Sequence, residues 1–332
     1  ETCFADLFSS FSCPLLSGSR TLRLPWSPDR PPAVIGYAGA PLATIAICTH
    51  DRSEDIRQCL AAIALQAQAV GFAILVVDSG SSPGHAAALR AITTEFDALL
   101  VRCDEPGISL ARNTAAAHAQ GQWVVYIDDD IRALPDWAAA LAQCLQAAPD
   151  DVAMIGGLIR PRWPAGASPE RVGRRWMLLL SCTEREGSGP VPGFDICGGN
   201  LAVRRAALQA VGGFPSTLGR VGKRLISGEE SFLIERLAQQ GLKTRYDDRF
   251  GVEHCIPAQR LTVRWATRRA YWEGVSRVLI HKELGRSLPR TMRPLKLAAS
   301  VPVLLAFAPF SSESAIRCSM AWGGLVGQVR MR

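Results

Sequence analysis

The chain has no Cys-x-x-Cys pair and no metal-type cysteine cluster, although it contains ten cysteines. A disulfide scaffold is short and regularly spaced, so these are read as mostly reduced, partly buried thiols of a cytosolic protein. No Gly-x-Gly-x-x-Gly follows the first predicted strand, and no Walker-type Gly-Lys-Ser/Thr is present. Both absences argue against a dinucleotide or P-loop enzyme. No aromatic-rich RNA-binding signature and no helix-turn-helix pattern accompanies the basic residues, so no nucleic-acid partner is expected. Charged residues are only 20% against 48% hydrophobic, which excludes a disordered chain. Residues 4–16 are moderately apolar but lack a basic n-region and a clean cleavage site, so they do not read as a targeting signal. The chain starts at Glu1 without a methionine, which leaves room for residues upstream.

What the sequence does contain is most concentrated at Trp123-Val-Val-Tyr-Ile-Asp-Asp-Asp130. An apolar, aromatic run stops at three adjacent carboxylates. A buried strand has this form when its carboxyl end opens onto a site. Three neighbouring acids repel one another, and structure alone does not require them. A hard divalent cation, Mg²⁺ or Mn²⁺, takes oxygen ligands and neutralises both carboxylates and a diphosphate. The competing reading is a solvated turn before the helix that follows Pro135.

From Ala43 onward, short apolar runs alternate with helical patterns. Strands are predicted over 43–48, 72–77, 99–102, 123–127 and 152–159. Helices are predicted over 53–65, with Ser53 as N-cap, and over 85–92, 109–119 and 136–147. The alternation implies an α/β fold with a mostly parallel, Rossmann-like sheet flanked by helices. Its ligand site is expected at the carboxyl ends of the strands. Those ends carry Thr49-His-Asp51-Arg52, Asp78 and Asp128 to Asp130. Asp78 can accept a base or ribose donor, and the Asp cluster can hold a metal against a diphosphate. A chain of 332 residues has room for such a domain plus extensions, or for two modest domains.

Six segments in order resemble the family 2 glycosyltransferases of the GT-A fold. They are Ala43 to Arg52, Ile74 to Ser82, Pro106 to Thr114, Asp128 to Asp130, Gly198-Gly-Asn-Leu201 and Gly228-Glu-Glu-Ser231. The resemblance covers residues 43–255. It implies an inverting hexosyltransferase that uses a nucleotide-sugar donor, most commonly a UDP-sugar, and a divalent metal. It implies nucleotide binding by Thr49, Asp51, Arg52, Asp78, Arg112, Asp128 and Asp129. Within that set, Asp51 and Asp78 match acids that hold the base, and Arg112 a basic residue near base and phosphates. Asp130 is the implied direct metal ligand and Asp128 the ribose contact, itself a second candidate ligand. His254 joins the metal or diphosphate site in some relatives, though a lone histidine is more often structural. Gly199 and Asn200 are implied to shape the acceptor and donor-sugar pocket; a plain turn explains the glycine equally well.

Glu230 matches the family's catalytic base, which is usually Asp. The extra methylene leaves open whether Glu229 or Glu230 faces the acceptor. A carboxylate there acts as general base on the acceptor hydroxyl, and a metal stabilises charge on the leaving diphosphate. The bland reading of the pair is an acidic first turn that suits the helix dipole. Two other function classes remain as alternatives. One is a non-catalytic nucleotide- or glycan-binding relative; the other is a nucleotidyltransferase. The acceptor could be a glycan, a lipid-linked glycan or a small molecule.

The sequence divides into an irregular leader over 1–42, a catalytic domain over 43–257 and a basic helical extension over 258–332. The net charge of +7 owes much to arginines between 260 and 293. Leu261, Trp265, Trp272, Val275 and Leu279 fall close to helical spacing among them, which suits an anionic membrane surface. The next apolar run, 295–310, is about 16 residues and short of the roughly 20 that span a bilayer. The expected location is the cytoplasm, with peripheral attachment to the inner face of the cell membrane. The alternative is an extension that covers the catalytic domain, its arginines solvated or gripping the donor phosphates. Trp163 and Trp176 fall in the variable acceptor region, where stacking on a sugar competes with ordinary packing.

Overall fold

The computed structural model describes residues 40–190, 196–292, 294, 296–298 and 311–330. The expected leader and the apolar run 295–310 lie almost wholly outside the described residues. The first half alternates strand and helix: β1 (Ala43–Thr49), α1 (Ser53–Ala69), β2 (Ala73–Ser79), α2 (Pro83–Glu95), β3 (Leu99–Cys103), α3 (Ile108–His118) and β4 (Trp123–Asp128). Then follow β5 (Ile131–Ala133), α4 (Trp137–Gln146), β6 (Val152–Arg162), α5 (Arg174–Leu179), β7 (Gly189–Pro190), β8 (Asn200–Arg204) and α6 (Arg205–Ala210). The chain continues through α7 (Glu229–Gln239), β9 (Lys243–Cys255), α8 (Val263–Glu283) and α9 (Ser312–Arg330).

The strands are apolar on both faces because both faces are covered. Along β1 and β4, Ile45, Ile47, Val125 and Ile127 point to one layer, formed with Ile56, Leu60 and Ile63 of α1 and Trp137 and Leu141 of α4. Their neighbours Ala46, Val124 and Tyr126 point to the other, with Ala111 and Ala115 of α3 and Leu233 and Leu237 of α7. This is the two-residue period of a strand read against two helix layers.

The sheet order is β3-β2-β1-β4-β8-β6-β9-β5, with β7 on β9. The central sheet is mostly parallel, through β3, β2, β1 and β4. β8 runs antiparallel to both β4 and β6. From β1 the chain builds outward to β3 and then returns to place β4 on the other side of β1. The carboxyl ends of β1 and β4 therefore flank a switch point, where open α/β sheets bind ligands.

Several expectations shift in detail. Ser53 is not the cap of α1 but its first residue, and its hydroxyl lies 2.9 Å from His85 Nδ1. β9 has 13 residues, far beyond the Phe250–Val252 core that hydropathy marks. Trp163 and Trp176 pack with Leu179, Ile256 and Ala270, and Trp176 Nε1 donates to the Arg260 carbonyl at 3.1 Å. That favours packing over sugar stacking.

The C-terminal helices cover the sheet domain. Leu261 and Trp265 join the same cluster as Trp176, while Trp272, Val275 and Leu279 pack on Leu218, Ile226 and Phe232. The apolar face expected to meet a membrane is thus spent on the protein itself. Among the described residues, no helix is long and apolar enough to cross a bilayer. α8 and α9 meet through glycine. A Cβ on Gly274 would overlap the Met320 carbonyl, and one on Gly323 the Tyr271 carbonyl.

Asn200 is fully buried where β6 and β9 shift register. Its Nδ2 donates to the carbonyls of Leu158 (3.1 Å) and Phe250 (2.8 Å), and its Oδ1 accepts from Trp137 Nε1 (3.2 Å). Asn200→Ala leaves these groups unpaired in the core. It is expected to cost about 2–4 kcal/mol in urea unfolding, against the 1–3 kcal/mol typical of one unsatisfied buried group.

Candidate active site

A cleft of about 590 Å³ opens at the carboxyl ends of β1 and β4 and runs under the C-terminal helices. It brings together Thr49, Arg52, Arg112, Asp128, Asp129, Asp130, Gly199, Glu229, Glu230 and His254. These residues span more than 200 positions of sequence and meet because five elements end here.

The Asp cluster turns away from β4 in three directions. Asp128 is half exposed, with Oδ1 3.6 Å from Arg112 Nη2. Asp129 is buried, accepting from Thr49 Oγ1 at 2.8 Å and from Arg52 Nη1 at 2.5 Å. Asp130 is buried against Arg52 Nη2 (3.1 Å), His254 Nε2 (3.4 Å) and Arg260 Nη2 (3.6 Å). Burial alone would raise Asp130, but His254, Arg52 and Arg260 outweigh it and hold the carboxyl well below the usual range. Burial pushes Asp129 the other way, up to about 7, in spite of Arg52.

The chain offers a divalent metal an incomplete set of donors. Asp130 and His254 adjoin, and Arg260 Nη1, which can only donate, lies 3.1 Å from His254 Nε2. In the neutral tautomer with Nε2 bare, that nitrogen accepts from Arg260, so an ion at Asp130 and His254 would take the place of the guanidinium. Among the described residues, no three His, Cys, Asp or Glu side chains converge as a metal group. A two-donor edge that leaves the other places to phosphate oxygens is the usual pattern for Mg²⁺ at a diphosphate. The residues fit that pattern and not a closed cage.

Across the cleft, Arg112 is buried and reaches three acids. Nη1 lies 3.1 Å from Glu229 Oε1 and 3.1 Å from Glu230 Oε1. Its guanidinium carbon sits 5.9 Å from the Tyr126 ring and 5.6 Å from the Phe214 ring. Glu230 Oε1 also accepts from the Gly198 backbone at 2.9 Å. Glu229 is deeper, and its Oε2 has no hydrogen-bond partner. Burial and the charge of Glu230 push Glu229 up to about 7, against the pull of Arg112.

Other expected residues lie outside this lining. Asp78 is buried; its Oδ2 accepts from Arg102 at 2.6 Å and its Oδ1 from the Ser81 backbone at 2.9 Å. Asp51 is exposed with a left-handed φ of 55° and accepts from the backbone and hydroxyl of Ser82. Both acids order the loop after β2, beside the lining residue Ser79. Asn200 does not line the cleft at all. It is a core residue that fixes the backbone after Gly199, which corrects its placement as a pocket side chain.

The cleft also contains arginines not singled out as site residues from the sequence: Arg175, Arg220, Arg269 and Arg277. A signal was present, because Arg269, Glu273 and Arg277 are spaced four apart and share one helix face.

This sheet, with carboxylates at its switch point, is that of a GT-A glycosyltransferase. The model described as "Glycosyl transferase family 2" matches residues 44–212, and the chain belongs to that family. It is a glycosyltransferase. It is 27% identical over 243 residues to a glucosyl-dolichyl phosphate glucuronosyltransferase of Haloferax volcanii, covering 70% of this chain and 75% of that protein. It is 24% identical to the succinoglycan biosynthesis protein ExoM of Rhizobium meliloti, over 82% of this chain and 84% of that one. A mannosyltransferase structure from Pyrobaculum calidifontis, in complex with GDP-Man and Mn²⁺, superposes with a TM-score of 0.58 at 20% identity, covering 88% of both chains. That likeness establishes the fold.

Glu229 generates a pH signature. The unfolded chain loses this proton near 4.5 and the folded chain near 7. Between those values the folded state binds more protons, so the group costs stability as pH rises through the window. Glu229→Gln removes that cost. Its urea midpoint is expected to exceed that of the parent at pH 8 and to match it at pH 4.5.

Proposed function

We propose that the chain is an inverting transferase that moves a sugar from a nucleoside-diphosphate donor to an acceptor hydroxyl by single displacement. One observation carries this reading: the Asp128–Asp130 cluster and the Glu229–Glu230 pair face one cleft, with Arg112 between them. The cluster is the donor side and the glutamate pair the acceptor side. UDP-sugars are the first donors to try and GDP-sugars the second, given the GDP-Man bound by the similar mannosyltransferase. The relative named a glucosyl-dolichyl phosphate glucuronosyltransferase makes a lipid-linked acceptor the leading class.

Thr49 and Arg52 fix Asp129 and Asp130 at the end of β1, and Asp128 is the exposed member, free to meet a ribose. Asp130 with His254 would hold Mg²⁺ or Mn²⁺. That ion, when bound, stabilises charge on the leaving diphosphate. Glu230 is the general base. It is more open than Glu229, and Gly198 and Arg112 fix its Oε1, leaving Oε2 for the acceptor. Glu229 is the more deeply buried of the two, with its Oε1 held on Arg112, and it positions that guanidinium rather than facing the acceptor. The domain reading follows: residues 43–257 carry the chemistry, and α8 of the extension lines the cleft beside the glutamate pair.

Screening nucleotide sugars for hydrolysis and thermal shift, with and without Mn²⁺, identifies the donor, and NMR of the product reads inversion. Glu230→Gln is expected to lower turnover by roughly 10²–10⁴-fold with donor affinity little changed, the usual worth of a general base. A larger loss for Glu229→Gln reverses the pair. Asp130→Ala, or EDTA on the parent, is expected to abolish transfer while circular dichroism stays native. Turnover insensitive to both removes the metal from the reading.

A further inference from the structure

The cleft has two chemistries. Its floor, at the sheet, is acidic. Its far wall is built by α5, α8 and the loop before α7, and it carries Arg175, Arg220, Arg269 and Arg277. Two carboxylates answer these four cations. Arg175 pairs with Glu313. Glu273 takes both Arg269 Nη1 at 3.3 Å and Arg277 Nε at 3.2 Å. Arg220 is exposed and makes no side-chain hydrogen bond or ion pair among the described residues, though its charge reaches Glu229.

Arg269 is the telling member. It is 5% exposed yet lines the cleft, and its Nε has no hydrogen-bond partner. Its Nη2 donates to Ser227 Oγ at 3.0 Å, which fixes the fork two residues before Glu229. A buried guanidinium with an unpartnered N–H is costly unless a ligand completes it. The planar fork matches phosphate oxygens in pairs. Among the lining residues, Leu178 and Val221 are 45% and 40% exposed, each on the segment that carries Arg175 or Arg220. The wall thus combines surplus cations with an apolar lip.

We propose that this arginine wall binds a phosphate group carried by the acceptor, so that the enzyme selects acceptors whose reacting hydroxyl lies close to a phosphate. The inference rests on the transferase reading above for the word acceptor, but the binding it predicts does not. A phosphate seated between Arg220, Arg269 and Arg277 would place its sugar toward Glu230, because Ser227 links Arg269 to the start of α7. An attached hydrocarbon chain would leave over Leu178 and Val221. A small sugar phosphate would leave that lip bare.

The test is direct binding by calorimetry, without turnover. The probes are dodecyl phosphate, the uncharged dodecyl glucoside, and glucose 1-phosphate. Dodecyl phosphate is expected to bind at least about tenfold more tightly than the glucoside, the worth of one hydrogen bond to a charged group. Arg220→Gln and Arg277→Gln should each erase most of that preference, while Arg52→Gln at the donor end retains it. Arg220 is exposed and unpaired, so its replacement leaves the fold intact, and circular dichroism checks this. Comparable binding of glucose 1-phosphate and dodecyl phosphate identifies a small phosphorylated acceptor; a large gain from the chain identifies a lipid phosphate. The proposal is overturned if the phosphate preference is absent, survives both wall variants, or is lost only in Arg52→Gln. Nucleotide-sugar binding to the same variants is read separately, so failure of the wall and failure of the transferase reading are distinguishable.

Discussion

Arg112 holds Asp128, Glu229 and Glu230 with one buried guanidinium. Three carboxylates around one cation would separate or protonate without it, since buried charge is tolerated only when paired and hydrogen-bonded. The rings of Tyr126 and Phe214 fix the plane of the fork, and the Tyr126 hydroxyl donates to the Arg112 carbonyl at 3.0 Å. The residue therefore ties α3, β4 and α7 into one unit. It also couples the two sides of the cleft. A change of charge at Asp128 is felt at the glutamates through a single group, and the elevated Glu229 is what remains after Arg112 has lowered it.

The rest of the molecule positions these groups. The switch between β1 and β4 supplies the crevice, and antiparallel β8 brings its leading glycines beside Asp128. The C-terminal helices then close the cleft from above. The two helices pack closely through Gly274 and Gly323, and Arg269, Glu273 and Arg277 of α8 line the same cleft as Glu229 and Glu230. The basic tail is therefore part of the site's electrostatics rather than a separate module.

Much of this was legible in the sequence where local signals were strong. The strands ending at Thr49, Ser79 and Asp128 lie where the apolar runs put them, because strands covered on both faces must be apolar throughout. β9 was mostly illegible, since Lys243 to Arg249 alternate charge and its pairing with β6 is broken by register shifts. The tail was ambiguous for a physical reason. Tryptophans among arginines on a helix suit a membrane surface and a protein groove equally well, and only tertiary packing distinguishes them. Asp78 and Asp51 illustrate a further limit. Spacing places an acid at a strand end, but not the Arg102 and Ser82 groups that occupy it.

The run Gly198-Gly199-Asn200 shows why a short motif can look like an ordinary turn and still be tightly constrained. A side chain on Gly198 would overlap Arg112 Nη2 and Glu230 Oε1, and its own N–H donates to that same oxygen. A Cβ on Gly199 would lie 3.1 Å from Asp128 Oδ2, tighter than ordinary packing against the most exposed carboxylate of the cluster. Asn200, one residue on, points the other way and bonds two strands and Trp137 in the core. Strand alternation sends neighbouring side chains to opposite faces. Three adjacent positions thus answer to the glutamate pair, the Asp cluster and the sheet interior. The glycines are set by close approach of charged side chains, because neither has the positive φ that would mark a glycine turn.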